Sequence, residues 1–112
     1  MLVGINDDES VHRIKGPARP IICCFHRMLM LQSLRCVNRV KTFREDTPDR
    51  LIRQWRPDIL VKGHDYEDKP VPEAAILAEW GGRLVIAPTS SRTSTSQIIE
   101  RIVRGHSSCK AT

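Results

Sequence analysis

Apolar residues along the chain fall into two kinds of pattern, short continuous runs and helical spacings. Runs stand at 2–6 (LVGIN), within PDILVKG at 57–63 and at 83–88 (RLVIAP), and each is followed by charged, glycine or proline residues, as strands usually are. A weaker run at 39–43 (RVKTF) predicts a further strand. Helical spacing follows at 25–37, 45–55, 71–82 and 95–105, with one helical turn predicted at 9–14.

Strands and helices thus alternate, which predicts an α/β fold built on a parallel sheet with helices on both faces. Continuous apolar strands are typical of sheets buried on both sides. Thr47 followed by Pro48 marks a helix start, and Gly105 marks the end of the last helix. We therefore expect one domain over residues 1–104 and a flexible tail over 105–112.

Ligands of such sheets bind beyond the carboxyl ends of the strands, so the loops there are the candidate site. The loop after the first strand carries Lys15 and Arg19, and Arg27 follows near the start of a helix. Lys62 and Asp65 follow the third strand, where they can meet a phosphate and a ribose hydroxyl or a metal ion. Residues Ser94, Thr95 and Ser96 lead into the last helix, where an anion-binding start and plain N-capping are both open interpretations.

The net charge of +5 favours anionic partners without choosing among them. Basic residues are spread along the chain and aromatic residues make up 4%, which argues against a stacking surface for single-stranded nucleic acid. Four cysteines form no CxxC pair, so we expect reduced thiols rather than a structural zinc site. No apolar run is long enough for a transmembrane helix and no secretory signal is visible, so we expect a cytoplasmic protein.

Five segments in order resemble the adenylyltransferase domain of bifunctional heptose synthases: LVGINDDESVHRIKGPARP, RMLMLQSLRCV, FREDTPDRLIRQWRPDILVKGHDY, AEWGGRLVIAP and STSQIIERI. The resemblance covers residues 2–104 and implies a Rossmann-like cytidylyltransferase fold. It also implies the reaction: a sugar 1-phosphate attacks the α-phosphate of ATP, with Mg²⁺, and pyrophosphate leaves. A nucleotide and a heptose 1-phosphate are the implied partners.

The resemblance assigns roles by position. Lys15 matches the lysine of a mobile loop and Arg27 an arginine of the following helix, both catalytic. Lys62 and Asp65 match the VKGxD loop, and Ser94, Thr95 and Ser96 match a phosphate-binding helix start. A glycerol-phosphate cytidylyltransferase is a near relative that these motifs do not exclude.

Two departures shape the expectations. The family's first strand and its His-x-Gly-His motif have no match, so we expect the chain to lack that strand and helix. IICCFH at 21–26 replaces an Asn-Pro and acidic helix start, so we expect that helix to lack its cap. The alternatives are an inactive nucleotide-binding remnant and a basic nucleic-acid-binding module, and an exposed sheet edge predicts self-association.

Overall fold

A computed structural model of the chain describes residues 1–88 and 93–110. Four strands and five helices follow one another in this part of the chain: β1 (Leu2–Asn6), α1 (Asp8–Lys15), α2 (Cys24–Gln32), β2 (Arg39–Phe43), α3 (Asp49–Trp55), β3 (Ile59–Lys62), α4 (Glu73–Ala78), β4 (Arg83–Ile86) and α5 (Thr95–Lys110). The chain divides into two compact units. The first comprises residues 1–60 and 71–84, and the second comprises residues 61–70 and the described residues from 85 onward.

The first unit contains a parallel pair of strands, β1 and β2, in which Gly4 lies opposite Lys41. Val40 and Phe43 of β2 are both buried, and their side chains leave opposite faces of the strand. Both faces of β2 are therefore covered. Gly4 allows this packing, since a Cβ at this position would lie 2.8 Å from Cδ2 of Leu51 in α3.

The core of the first unit lies between α3 and α4. Ile52, Ile76 and Leu77 are buried together, with Leu60, Trp80 and Leu84 packed around them. The Trp80 indole N–H donates to the Pro57 carbonyl at 2.9 Å, so the ring is fixed at its polar end as well. These contacts hold α3 and α4 against the starts of β3 and β4.

β3 and β4 form the second strand pair. The Arg83 N–H donates to the Asp58 carbonyl and the Ala87 N–H to the Lys62 carbonyl, a constant offset that indicates parallel strands. In the described part of the chain the four strands therefore form two parallel pairs, β1 with β2 and β3 with β4. The α/β class with parallel strands is confirmed.

Several predicted details differ from the structure. α1 is a full helix of eight residues rather than one turn, because Asp7 caps it, and α2 ends at Gln32 rather than at 37. β3 is not buried on both faces as its apolar sequence predicts, since Ile59 and Val61 are exposed. α5 was predicted to end at Gly105, but it continues through this residue to Lys110. A single glycine weakens a helix without ending it. Residues 89–92 of the predicted polar loop lie outside the described residues.

A search of the described residues for a helix long and apolar enough to cross a membrane finds none.

Candidate functional site

Polar side chains gather at the carboxyl end of β1, within the first unit. Asp7 follows the strand and caps α1, because its Oδ1 accepts from the Ser10 N–H at 2.9 Å. Ser10 is fully buried, accepts from the Asn6 amide at 2.8 Å and donates to the Glu45 carbonyl at 3.0 Å. These bonds fix the turn from β1 into α1.

Arg27 of α2 points back to this strand end, one of two orientations that its position near the helix start left open. Its Nη1 donates to the carbonyl of Asn6, the last residue of β1, at 3.0 Å. Nε donates to the Ile22 carbonyl at 2.9 Å, and Nη2 donates to Asp8 Oδ1 at 2.8 Å. With 22% of its side chain exposed, Arg27 is a fixed cation at the strand end rather than a solvated helix charge.

The start of α2 is capped in a way that the sequence did not reveal. Cys23 at the N-cap position makes no side-chain bond and the first turn holds no acidic residue, as expected. However, Asp8 Oδ1 accepts from the Cys24 N–H at 2.7 Å. A carboxylate 16 residues upstream therefore replaces the local cap, which corrects the expectation that this helix start is uncapped.

Lys15 is the last residue of α1 and is exposed, with no partner among the described residues. Gly16 follows with a φ of 100°, a conformation that favours glycine, and its N–H donates to the His12 carbonyl. An open groove of about 480 Å³ lies beside α1, lined by Asp8, Glu9, His12, Arg13, Arg19 and Pro20. The groove carries charges of both signs, since the predicted cation Arg19 lines it together with the carboxylates of Asp8 and Glu9.

The second unit holds the other predicted residues. Lys62 ends β3, is partly buried, and places its Nζ 4.6 Å from the centre of the Tyr66 ring. Asp65 lies in the short 3₁₀ turn His64–Tyr66 directly after the strand, and it is exposed. The cation–π contact restricts the lysine ammonium to the loop that carries Asp65.

Ser94, Thr95 and Ser96 form the start of α5, as predicted. The Ser94 Oγ accepts from the Gln97 N–H at 3.3 Å, and the Gln97 side chain accepts from the Ser94 N–H at 3.1 Å. This reciprocal pair is a capping box, so Ser94 caps the helix. The capping interpretation therefore holds for Ser94, and binding of an anion by this helix start stays a prediction.

The structure thus places Lys15 and Arg27 in one unit, and Lys62, Asp65 and Ser94–Ser96 in the other. That all of them line one cleft stays a prediction. Within the first unit, Arg27 and Lys15 belong to elements that flank the same strand, β1.

Comparison with known proteins identifies the family. The model of the family described as cytidylyltransferase-like matches residues 1–101. The chain belongs to the cytidylyltransferase-like family. The fold expected from the sequence resemblance is therefore confirmed at the family level.

Curated relatives match this cytidylyltransferase-like chain over nearly all its length. The D-beta-D-heptose 1-phosphate adenylyltransferase of Bordetella bronchiseptica is 42% identical over 106 residues, which are 94% of this chain and 65% of the relative. The bifunctional protein HldE of Streptomyces coelicolor is 42% identical over 94% of this chain, and that of Azotobacter vinelandii 45% over 93%. The chain spans less than two thirds of each, and 23% and 22% of the HldE proteins.

Sequence reasoning missed one residue of the candidate site, Asp8. The acidic turn after β1 was visible, but its partner Arg27 lies 19 residues further along the chain. One feature of the sequence could have indicated Asp8. The start of α2 is apolar and has no local capping residue, so its N–H groups need an acceptor from elsewhere in the fold.

Proposed function

We propose that the chain is the nucleotidyl-transfer domain of an enzyme that moves AMP from ATP to a heptose 1-phosphate. The observation that carries this proposal is the match of 94% of the chain, at 42% identity, to a relative named as a heptose 1-phosphate adenylyltransferase. The arrangement of Arg27 at the end of β1 fits such a reaction, since ligands of parallel sheets bind beyond these strand ends.

The proposed reaction needs no covalent enzyme intermediate. An oxygen of the sugar phosphate forms a bond to the α-phosphorus of ATP, the bond from that phosphorus to the β-phosphate bridging oxygen breaks, and pyrophosphate leaves with the electron pair. Catalysis of such a step depends on positioning and on stabilising negative charge. Fixed cations and backbone N–H groups are the appropriate groups.

In the first unit, Arg27 contacts a phosphate in this proposal and Lys15 closes over it. Arg27 suits the role because three of its N–H groups are already held by protein acceptors, so that little rotamer freedom is lost on binding. Lys15 suits it because its ammonium is exposed on the last turn of a helix that leads into a glycine-proline loop.

In the second unit, Lys62 neutralises the leaving pyrophosphate, and the N–H groups at Thr95 and Ser96 bind its oxygens at the start of α5. Support comes from position, since Thr95 and Ser96 are the first two residues of the 16-residue helix α5 and lie at the positive end of its dipole. Asp65 binds the ribose or the metal ion.

Magnesium is the metal that the proposed reaction implies. No group of three acidic, histidine or cysteine side chains converges within residues 1–88 and 93–110. Mg²⁺ bound to nucleotides is held through phosphates, waters and one or two carboxylates, and Asp65, which is exposed in the turn that follows β3, fits as such a carboxylate. When bound, the ion neutralises phosphate charge.

The test is pyrophosphate release from ATP and D-glycero-β-D-manno-heptose 1-phosphate, together with ATP affinity measured by calorimetry. We expect Lys62→Ala to lower ATP affinity roughly tenfold, the effect of losing one hydrogen bond to a charged group. Lys69→Ala removes the same charge from the same loop and is the matched control. Equal affinities of the two variants contradict the role of Lys62, and a preference for CTP with glycerol 3-phosphate contradicts the assignment of substrates.

A second candidate is a chain that binds nucleotide without turning it over. The observation that favours it is the lack of a His-x-Gly-His motif in these 112 residues. ATP binding without pyrophosphate release distinguishes this candidate from the enzyme.

A further inference from the structure

One oxygen atom of Asp8 joins two helices of the first unit, α1 and α2. Asp8 lies in the first turn of α1, and its Oδ1 accepts both the Cys24 N–H at the start of α2 and an Nη2–H of Arg27. The two bonds measure 2.7 and 2.8 Å. Because Arg27 also reaches the end of β1, the position of this carboxylate affects the strand end and both helices.

Arg27 has five N–H groups, and the three protein acceptors occupy one on each nitrogen. One N–H on Nη1 and one on Nη2 have no acceptor among the described residues. These two N–H groups are donors that phosphate oxygens can accept in charge-assisted hydrogen bonds. With 22% of its side chain exposed, Arg27 can be reached by an anion from solvent.

Of the three acceptors, Asp8 is the only side chain and the only charged group. The other two are the carbonyls of Ile22 and Asn6, which every residue type provides. The same Asp8 oxygen also fixes the helix start from which Arg27 projects. Asp8 thus holds Arg27 twice, once at the guanidinium and once through the backbone of α2.

We propose that Asp8 is a positioning residue that orients Arg27 for a phosphate of the substrate. The proposal rests on the proposed function, in which Arg27 contacts phosphate. A positioning role and a simple charge effect predict opposite changes in anion affinity when the Asp8 charge is removed. A carboxylate beside an anion site repels the anion, so removing its charge strengthens binding unless its orienting role is larger.

The test compares Asp8→Asn with Glu9→Gln. Asparagine keeps the Oδ1 acceptor and removes the charge, and Glu9→Gln removes the same charge from the next residue of the same helical turn, where 74% of the Glu9 side chain is exposed. Inorganic pyrophosphate and ATP are the probes, measured by calorimetry. We expect Asp8→Asn to weaken both affinities roughly three- to tenfold, about the difference between a hydrogen bond to a charged acceptor and one to a neutral acceptor, and Glu9→Gln to leave them unchanged or slightly stronger.

An affinity that rises in Asp8→Asn, or equals that of Glu9→Gln, overturns the positioning role. The second readout is the Arg27 Nε–H signal in a ¹H–¹⁵N spectrum without ligand, assigned with Arg27→Lys. We expect a resolved signal in the natural chain that broadens in Asp8→Asn and disappears in Asp8→Ala, while backbone signals of β1 and β2 persist. A signal unchanged in Asp8→Ala overturns the proposal.

Failure of the proposed function gives a different result. If Arg27→Ala binds pyrophosphate as tightly as the natural chain, Arg27 does not contact phosphate, and Asp8 has no anion to serve. In that case the arginine signal alone decides whether Asp8 orients Arg27.

Discussion

Cys23 and Cys24 are neighbours in sequence with different surroundings. Cys23 is exposed, whereas Cys24 is partly buried and its thiol lies 3.9 Å from the Asn6 carbonyl. Burial raises the pKa of the Cys24 thiol, the Asp8 and Asp7 carboxylates raise this pKa further, and Arg27 offsets part of the effect. The thiolate of Cys24 is therefore scarce at neutral pH.

We predict that iodoacetamide modifies Cys23 well before Cys24 in the folded chain at neutral pH, because the thiolate is the reacting form. Peptide mass spectrometry against time measures both rates. As the pH rises through the raised pKa of Cys24, the rate at which Cys24 is modified increases. The contribution of the protonated Cys24 thiol to the free energy of unfolding is fully present below the unfolded-state pKa and is lost over the same rise in pH. Guanidinium chloride is the control, since unfolding should equalise the two rates. Faster modification of Cys24 in the folded chain contradicts the assignment.

At the scale of elements, the contact between β1 and α3 depends on Gly4. Gly4→Ala places a methyl group 2.8 Å from Leu51 Cδ2, and Leu51 is only 6% exposed. We predict a loss of about 1–3 kcal/mol in the free energy of unfolding, typical of overpacking, measured by urea denaturation. Gly63→Ala is the control, because a Cβ there meets nothing within 4 Å. Equal midpoints for the two variants would show that Leu51 moves aside freely.

The start of α5 gives a second prediction at this scale. Ser94→Ala removes the capping oxygen from the Gln97 N–H, so we expect the helix to lose about 1 kcal/mol of stability. Hydrogen exchange of the amides of Gln97 and Ile98 reports the loss. Ser94→Asp should retain protection, since aspartate also caps helices, and Thr95→Ala should have little effect. Protection that persists in Ser94→Ala would mean that the capping box is dispensable.

These elements show which parts of the structure the sequence predicts. Neighbouring residues in the sequence were sufficient to predict β3, β4 and the start of α5, because a continuous apolar run marks a strand and Ser94 caps a helix that begins one residue later. They were insufficient at Gly105, which α5 includes as an interior residue, and at α2, whose cap Asp8 is remote in sequence. Of the candidate site, the pattern left Arg27 open between the strand end and solvent, and it did not indicate the carboxylate that holds this arginine.

At the scale of the whole molecule, large apolar side chains around α2 are exposed. Phe25 is 65% exposed, Ile21 60% and Met30 52%, and α2 carries no acidic residue. We predict that the chain self-associates, since exposed apolar surface of this kind favours association. Light scattering at increasing concentration measures self-association, and Phe25→Glu should reduce it, whereas Arg35→Glu, a control at an exposed polar residue, should not. A monomer with a cooperative melt at all concentrations contradicts the prediction.

On the second candidate function, in which nucleotide binds without turnover, the chain should bind ATP weakly and release very little pyrophosphate. Removing one preorganised donor to a transition-state oxyanion costs about 10²–10³ in rate, and the His-x-Gly-His donors of the family have no counterpart in these residues. The cations Lys15, Arg27 and Lys62 still attract phosphate. Because the attraction is that of accessible charge, affinity should fall as ionic strength rises from about 0.01 to about 0.1 M, which shortens the Debye length from about 30 to about 10 Å. Calorimetry at the two salt concentrations measures the ATP affinity, and a separate assay measures pyrophosphate release. Lys41→Ala is the control for Lys15→Ala. Rapid pyrophosphate release by the purified chain would mean that another group, with His64 the first to test, supplies the missing donor.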